Sequence, residues 1–139
     1  MNIYMNKDIQ EKLKNFFDSK PEIILAIIYG SYTRGTEAET SDVDIAVAMS
    51  DVMNLDARLS LQLELSILLK KEIDLVDIRK IKGLIHYKVF TEGLCIKKHE
   101  NEGRSFFHKN FMTALYWYED YYPLYKRSQK YIIERAFAR

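Results

Sequence analysis

The stretch Ile23-Ile24-Leu25-Ala26-Ile27-Ile28-Tyr29 constrains this chain more than any other, because seven apolar residues in a row stop abruptly at Gly30. A run that short, rich in isoleucine and bounded by glycine, predicts a strand over 22–29 buried on both faces. It is the longest unbroken apolar run in the sequence and far too short to span a bilayer. Residues 31–41 are small and polar, which predicts a loop with room for a helical turn after Ser31. A second strand runs from Asp42 to Ala48. There Val43, Ile45 and Val47 face one way, and Asp42, Asp44 and Ala46 face the other.

The remaining segments fall around these two strands. Asn6 is placed to cap a first helix that puts Ile9, Leu13, Phe16 and Phe17 on one face and ends at Pro21. Residues 54–71 contain no glycine or proline. Leucines recur at 55, 59 and 63 and at 61, 65 and 68, so this helix has a broad apolar face. Glu72 to Ile78 reads as a third strand and Lys80 to Thr91 as a helix with Gly93 at its C′ position. Leu94 to Ile96 adds a short edge strand. After the break at Asn101–Gly103, residues 104–139 form one or two helices interrupted near Pro123. The expected division is a core over 1–100 and a helical tail over 101–139 within one domain of mixed α/β (α+β) class. The tail holds most of the aromatic residues, and Tyr116, Trp117, Tyr121, Tyr122 and Tyr125 surround more than one of its faces. Exposed aromatics of that kind are favoured at interfaces.

Composition removes several function classes. The formal net charge is +1, which supplies no general drive towards nucleic acid or anionic membrane. The lone cysteine, Cys95, makes neither an internal disulfide nor a zinc cage, which suits a reducing cytoplasm. The N-terminal residues lack a charged-then-apolar signal layout. The expectation is a cytoplasmic protein that binds neither nucleic acid directly nor membrane. His86, His99 and His108 are scattered without metal-ligand or triad spacing, and His86 reads as a surface or half-buried helix residue.

The chemistry is concentrated between residues 30 and 44. Residues two apart in a strand share a face, so Asp42 and Asp44 present adjacent carboxylates whose repulsion a divalent cation would relieve. Magnesium typically takes one or two carboxylates plus substrate phosphates. Gly30 permits a close backbone approach, Ser31 adds a hydroxyl, and Arg34 offers a planar fork to a leaving pyrophosphate. A second metal needs a further carboxylate. The strand from Glu72 to Asp77 offers Glu72 and Asp74 on one face and Asp77 on the other. Asp77, at the strand's end, suits a cap on the next helix. Asp74, central and flanked by apolar residues, is costly to bury and therefore preferred.

The pattern Gly30-Ser31, ten residues, Asp42-x-Asp44 resembles the signature of the nucleotidyltransferase superfamily related to DNA polymerase beta. The short length and the Arg34-Gly35 spacing resemble its minimal nucleotidyltransferase (MNT) branch, which includes the antitoxins encoded beside HEPN toxins. The match covers roughly residues 20–80. The resemblance implies a small mixed sheet flanked by helices, two Mg2+ ions, and ATP as the usual substrate. It implies Asp42, Asp44 and Asp74 as catalytic metal ligands, Gly30 and Ser31 on the phosphates, and Asp74 assisting deprotonation of the acceptor hydroxyl. By the same resemblance, the expected function is an antitoxin that transfers AMP to a tyrosine hydroxyl of a HEPN ribonuclease toxin, its partner in a hetero-oligomer. Two other readings stay open: transfer to a small hydroxyl compound such as an aminoglycoside, and a non-catalytic antitoxin acting by occlusion.

Overall fold

The computed structural model describes residues 6–34 and 42–137. The first helix, α1 (Lys7–Asp18), begins where the Asn6 side chain accepts the N–H groups of Asp8 and Ile9 at 2.8 and 3.4 Å. Its Leu13 and Phe17 are fully buried, with Ile9 and Phe16 packed beside them. The chain then enters β1 (Ile23–Tyr29), followed by the short helix α2 (Ser31–Arg34), β2 (Val43–Met49), α3 (Leu55–Leu69) and β3 (Ile73–Asp77). A 3-10 turn (Ile78–Lys80) leads to α4 (Leu84–Glu92), β4 (Leu94–Lys98), α5 (Glu102–Asp120) and α6 (Tyr122–Phe137).

The strands form one mixed sheet in the order β3-β2-β1-β4. β1 runs antiparallel to both neighbours, and β2 and β3 run parallel. Every residue of β1 is buried, as a continuous apolar run in an interior strand requires. On one face Ala26, Ile28, Val43, Ile45, Val47, Ile73 and Leu75 pack against α1 and α3. On the other, Leu25, Ile27, Ala46 and Ala48 pack with Val89, Phe90 and Ala114 of α4 and α5. Each large side chain so buried contributes about 1.5–3 kcal/mol relative to exposure. The ammonium of Lys97 on β4 reaches across to donate to the carbonyls of Phe17 and Lys20 at 2.9 and 2.6 Å, closing the end of α1.

Several local expectations differ from the structure. The helix expected over 80–91 is divided, because the Asp77 carboxylate accepts the Arg79 N–H at 3.0 Å and turns the chain before α4 begins. The strand expected over Leu94–Ile96 continues to Lys98, held by its pairing with β1. Gly93 is no left-handed C′ residue, since its φ is −74°. Space explains it instead: a Cβ there would collide with the Ile27 side chain and the Val89 carbonyl. The apolar face of α3 is only half used. Leu61, Leu65 and Leu69 are buried, whereas Leu55, Leu59, Leu63 and Ile67 are exposed. In the tail, α5 ends at Asp120, and Pro123 sits in the first turn of α6, where its missing N–H costs nothing. No described helix is long and apolar enough to cross a membrane.

The crowding at Gly93 sets a stability prediction. Gly93→Ala should lower the unfolding free energy by about 1–3 kcal/mol through overpacking, read as a lower urea midpoint with an unchanged m value.

Candidate active site

The turn after β1 is fixed by its own hydrogen bonds. Thr33 donates to the Gly30 carbonyl from both its backbone N–H, at 3.1 Å, and its hydroxyl, at 2.8 Å. Gly30 has φ +79° and faces Asp44 so closely that a Cβ would strike that carboxylate. Glycine is therefore required twice over, by conformation and by space. Ser31 opens α2 next to this contact, and the Arg34 side chain lies outside the described residues.

Sheet register supplies the rest. Tyr29 stands opposite Asp44, and Asp44 stands opposite Asp74, so the three form one row across β1, β2 and β3. Adjacent strands lie about 4.8 Å apart, which keeps the two carboxylates side by side. The row lies on the same face as Ala46 and Ala48 by the two-residue period of strands. Asp42 stands one residue before β2 and is exposed, so it lies outside the strand expected to begin there. Asp74 is exposed and not buried as expected, so its place opposite Asp44 marks it out rather than any burial cost. Glu72 precedes β3, and its carbonyl accepts the Val43 N–H at 3.0 Å. Asp77 is buried and occupied with capping the turn after β3.

The donor set suits a hard cation. Asp42, Asp44 and Asp74 offer only oxygen atoms, and magnesium completes its shell with phosphate oxygens and water rather than a closed protein cage. Among the described residues, no three His, Cys, Asp or Glu side chains are gathered around one point. Two histidines serve elsewhere in the fold. His86, expected at the surface or half-buried, is buried, with Nε2 2.9 Å from Asn110 Oδ1. His99 Nδ1 accepts the N–H groups of Asn101 and Glu102 where α5 begins.

Two neighbours of the site carry no signal in the sequence. Lys71 Nζ lies 5.7 Å from the centre of the Tyr32 ring, which puts a cation beside α2. Tyr29 reads from the sequence only as the end of a buried strand. Its phenol is held above its ordinary pKa of 10.0 by burial first, then by the negative fields of Asp44 and Asp74. Strand period marks its face, but only register places it beside two acids.

Tyr29 makes stability fall with pH. Above pH 10 the unfolded chain loses this proton while the folded chain keeps it, so the unfolded state binds fewer protons. Tyr29→Phe should therefore lose stability less steeply than the parent above pH 10 in guanidinium midpoints. Equal slopes in the two proteins would contradict the assignment.

Comparison with known proteins places this geometry. Residues 11–102 match the family described as Polymerase beta, Nucleotidyltransferase. Protein adenylyltransferase MntA of Shewanella oneidensis is 36% identical over 81 residues, covering 58% of this chain and 58% of MntA. A crystal structure of a toxin-antitoxin with AMP-PNP superposes with a TM-score of 0.65 and 28% identity, covering 93% of this chain and 98% of that one. A structure of the tri-AMPylated Shewanella oneidensis HEPN toxin in complex with MNT antitoxin gives 0.63 and 25%, covering 96% of this chain and all of that one. The mixed sheet, the Gly30 turn and the family match agree, and the chain belongs to the polymerase beta-like nucleotidyltransferases.

Proposed function

We propose that this chain is an antitoxin-type protein adenylyltransferase that moves AMP from ATP to a tyrosine hydroxyl of a HEPN ribonuclease toxin in the cytoplasm. The observation that carries the reading is the Asp44–Asp74 pair set against a glycine that only a close contact explains. Similarity to MntA and to the antitoxin complexes supports the acceptor class. Residues 1–100 form the catalytic core in this reading; within the tail of residues 101–139, α5 packs on that core, and α6, which has no buried residue, is left for the partner.

Gly30 and Ser31 hold the triphosphate at the end of β1, and Arg34 steadies the departing pyrophosphate. Asp42, Asp44 and Asp74 would hold two magnesium ions, which would neutralise phosphate charge and lower the pKa of the attacking hydroxyl. The acceptor oxygen bonds to the α-phosphorus as the bond to the β-phosphate oxygen breaks. Pyrophosphate leaves, and the acceptor proton passes to the Asp74 carboxylate. Catalysis of this kind is chiefly positioning and electrostatics.

Asp42→Asn combined with Asp44→Asn should abolish transfer of α-phosphate label from ATP to the toxin, while the thermal transition stays cooperative. Asp74→Asn alone should cost on the order of a hundredfold. Undiminished labelling in the double variant would overturn the assignment. Toxin neutralisation that survives in that variant, without labelling, would point to occlusion instead.

A further inference from the structure

A cleft of about 490 Å3 opens beyond the end of β3, between the 3-10 turn, the start of α4 and the body of α5. Ile78 at its floor packs with Ala46 and Ala48, so the cleft lies on the same face of the sheet as Asp44 and Asp74. None of Gly30, Ser31, Asp42, Asp44 or Asp74 lines it. Asp74 and Ile78 are four residues apart, which is roughly 13 Å along an extended chain.

The chemistry of the lining is one-sided. Arg79, Lys82 and Lys109 contribute three cations and no carboxylate is present. Among the described residues none of the three lies within ion-pair distance of an acid. Arg79 is held in place by its bond to the Met49 carbonyl at 2.9 Å and by the Phe106 ring 4.7 Å away. Phe106 and Trp117 add aromatic surface. The pair of buried His86 and half-buried Asn110 is also oriented. Asn110 donates its amide N–H to the Phe106 carbonyl at 2.9 Å, so its Oδ1 accepts from His86 Nε2–H. A half-buried polar group in a wall of aromatic and aliphatic side chains suits a ligand with hydrogen-bonding groups.

We infer that this cleft seats an acidic peptide segment of the acceptor protein, at a place separate from the tyrosine that receives AMP. The inference rests on the proposed transferase reading for its acceptor, but on the cleft alone for its ligand chemistry. A nucleotide explains the cations poorly. Its base is neutral, and in the proposed reading its phosphates are already met by the Gly30 turn and by magnesium. Aspartate or glutamate side chains answer cations that no carboxylate lining the cleft offsets, and the aromatic walls suit the backbone and aliphatic stems between them.

Trp117 is the sole tryptophan and lines the cleft, so its fluorescence reports occupancy without turnover. Titration with an acetylated peptide Glu-Glu-Glu-Glu-Tyr should change its emission, and the lysine counterpart Lys-Lys-Lys-Lys-Tyr should not. Lys82→Glu with Lys109→Glu should weaken acidic-peptide binding about tenfold or more, and the milder Lys82→Gln with Lys109→Gln by less. Binding indifferent to these changes, or equal for both peptides, would overturn the proposal. So would displacement of the peptide by magnesium-ATP or by a short uridine oligonucleotide, which would assign the cleft to nucleotide or RNA. Because binding is read without ATP, failed toxin labelling alongside intact peptide binding would count against the transferase reading and leave the cleft assignment standing.

Discussion

Strand register is the constraint on which the site depends. The pairing of Tyr29 with Asp44, and of Asp44 with Asp74, holds only while β1, β2 and β3 keep their present alignment. A slip of one residue in β2 would send Asp44 to the α1–α3 side, among Leu13, Phe17 and Leu65, and would bring Val43 and Ile45 to the other face. The hydrophobic pattern forbids that slip, because the apolar residues of β2 serve both clusters. The interior that stabilises the sheet therefore also positions its carboxylates. Burying β1 on both faces and both edges keeps the central rail of this arrangement rigid.

The alternation of β2 and the density of β1 make the sheet legible from the residues alone, as do the cap at Asn6 and the apolar face of α1. What escapes is mostly long-range. Asp74 is singled out on the third strand for a burial it does not have, since exposure depends on which edge of the sheet a strand occupies. Gly93 has the look of a helix terminator, yet its absent side chain makes room for Ile27, sixty-six residues earlier in the chain. The outward leucines of α3 cannot be separated from the inward ones by spacing alone, because both sets repeat at helical intervals. His86 is hidden by the same limit: its partner Asn110 sits in a different helix.

The face of the sheet toward α4 and α5 is electrically divided. Negative charge is concentrated at the Gly30 end, where Asp44 and Asp74 meet, and positive charge gathers beyond the far end of β3 around Arg79, Lys82 and Lys109. Apolar surface from Ala46, Ala48 and Ile78 separates the two. Opposite charges kept apart by a dry, low-dielectric layer retain their fields better than charges mixed in water. A chain of nearly zero net charge thus offers two strongly signed regions on one side.

The parallel pairing of β2 with β3 has a bearing on how this protein comes into being. Parallel neighbours require a crossover, here the whole of α3, whereas β1 and β2 meet through a shorter connection. Thirty positions separate Asp44 from Asp74 in the chain, and closing that distance carries an entropic cost that only the finished helix-on-sheet packing offsets. A nascent polypeptide that has emerged only as far as β2 carries half of the acidic pair and none of its geometry. The pair is complete only once the crossover has docked.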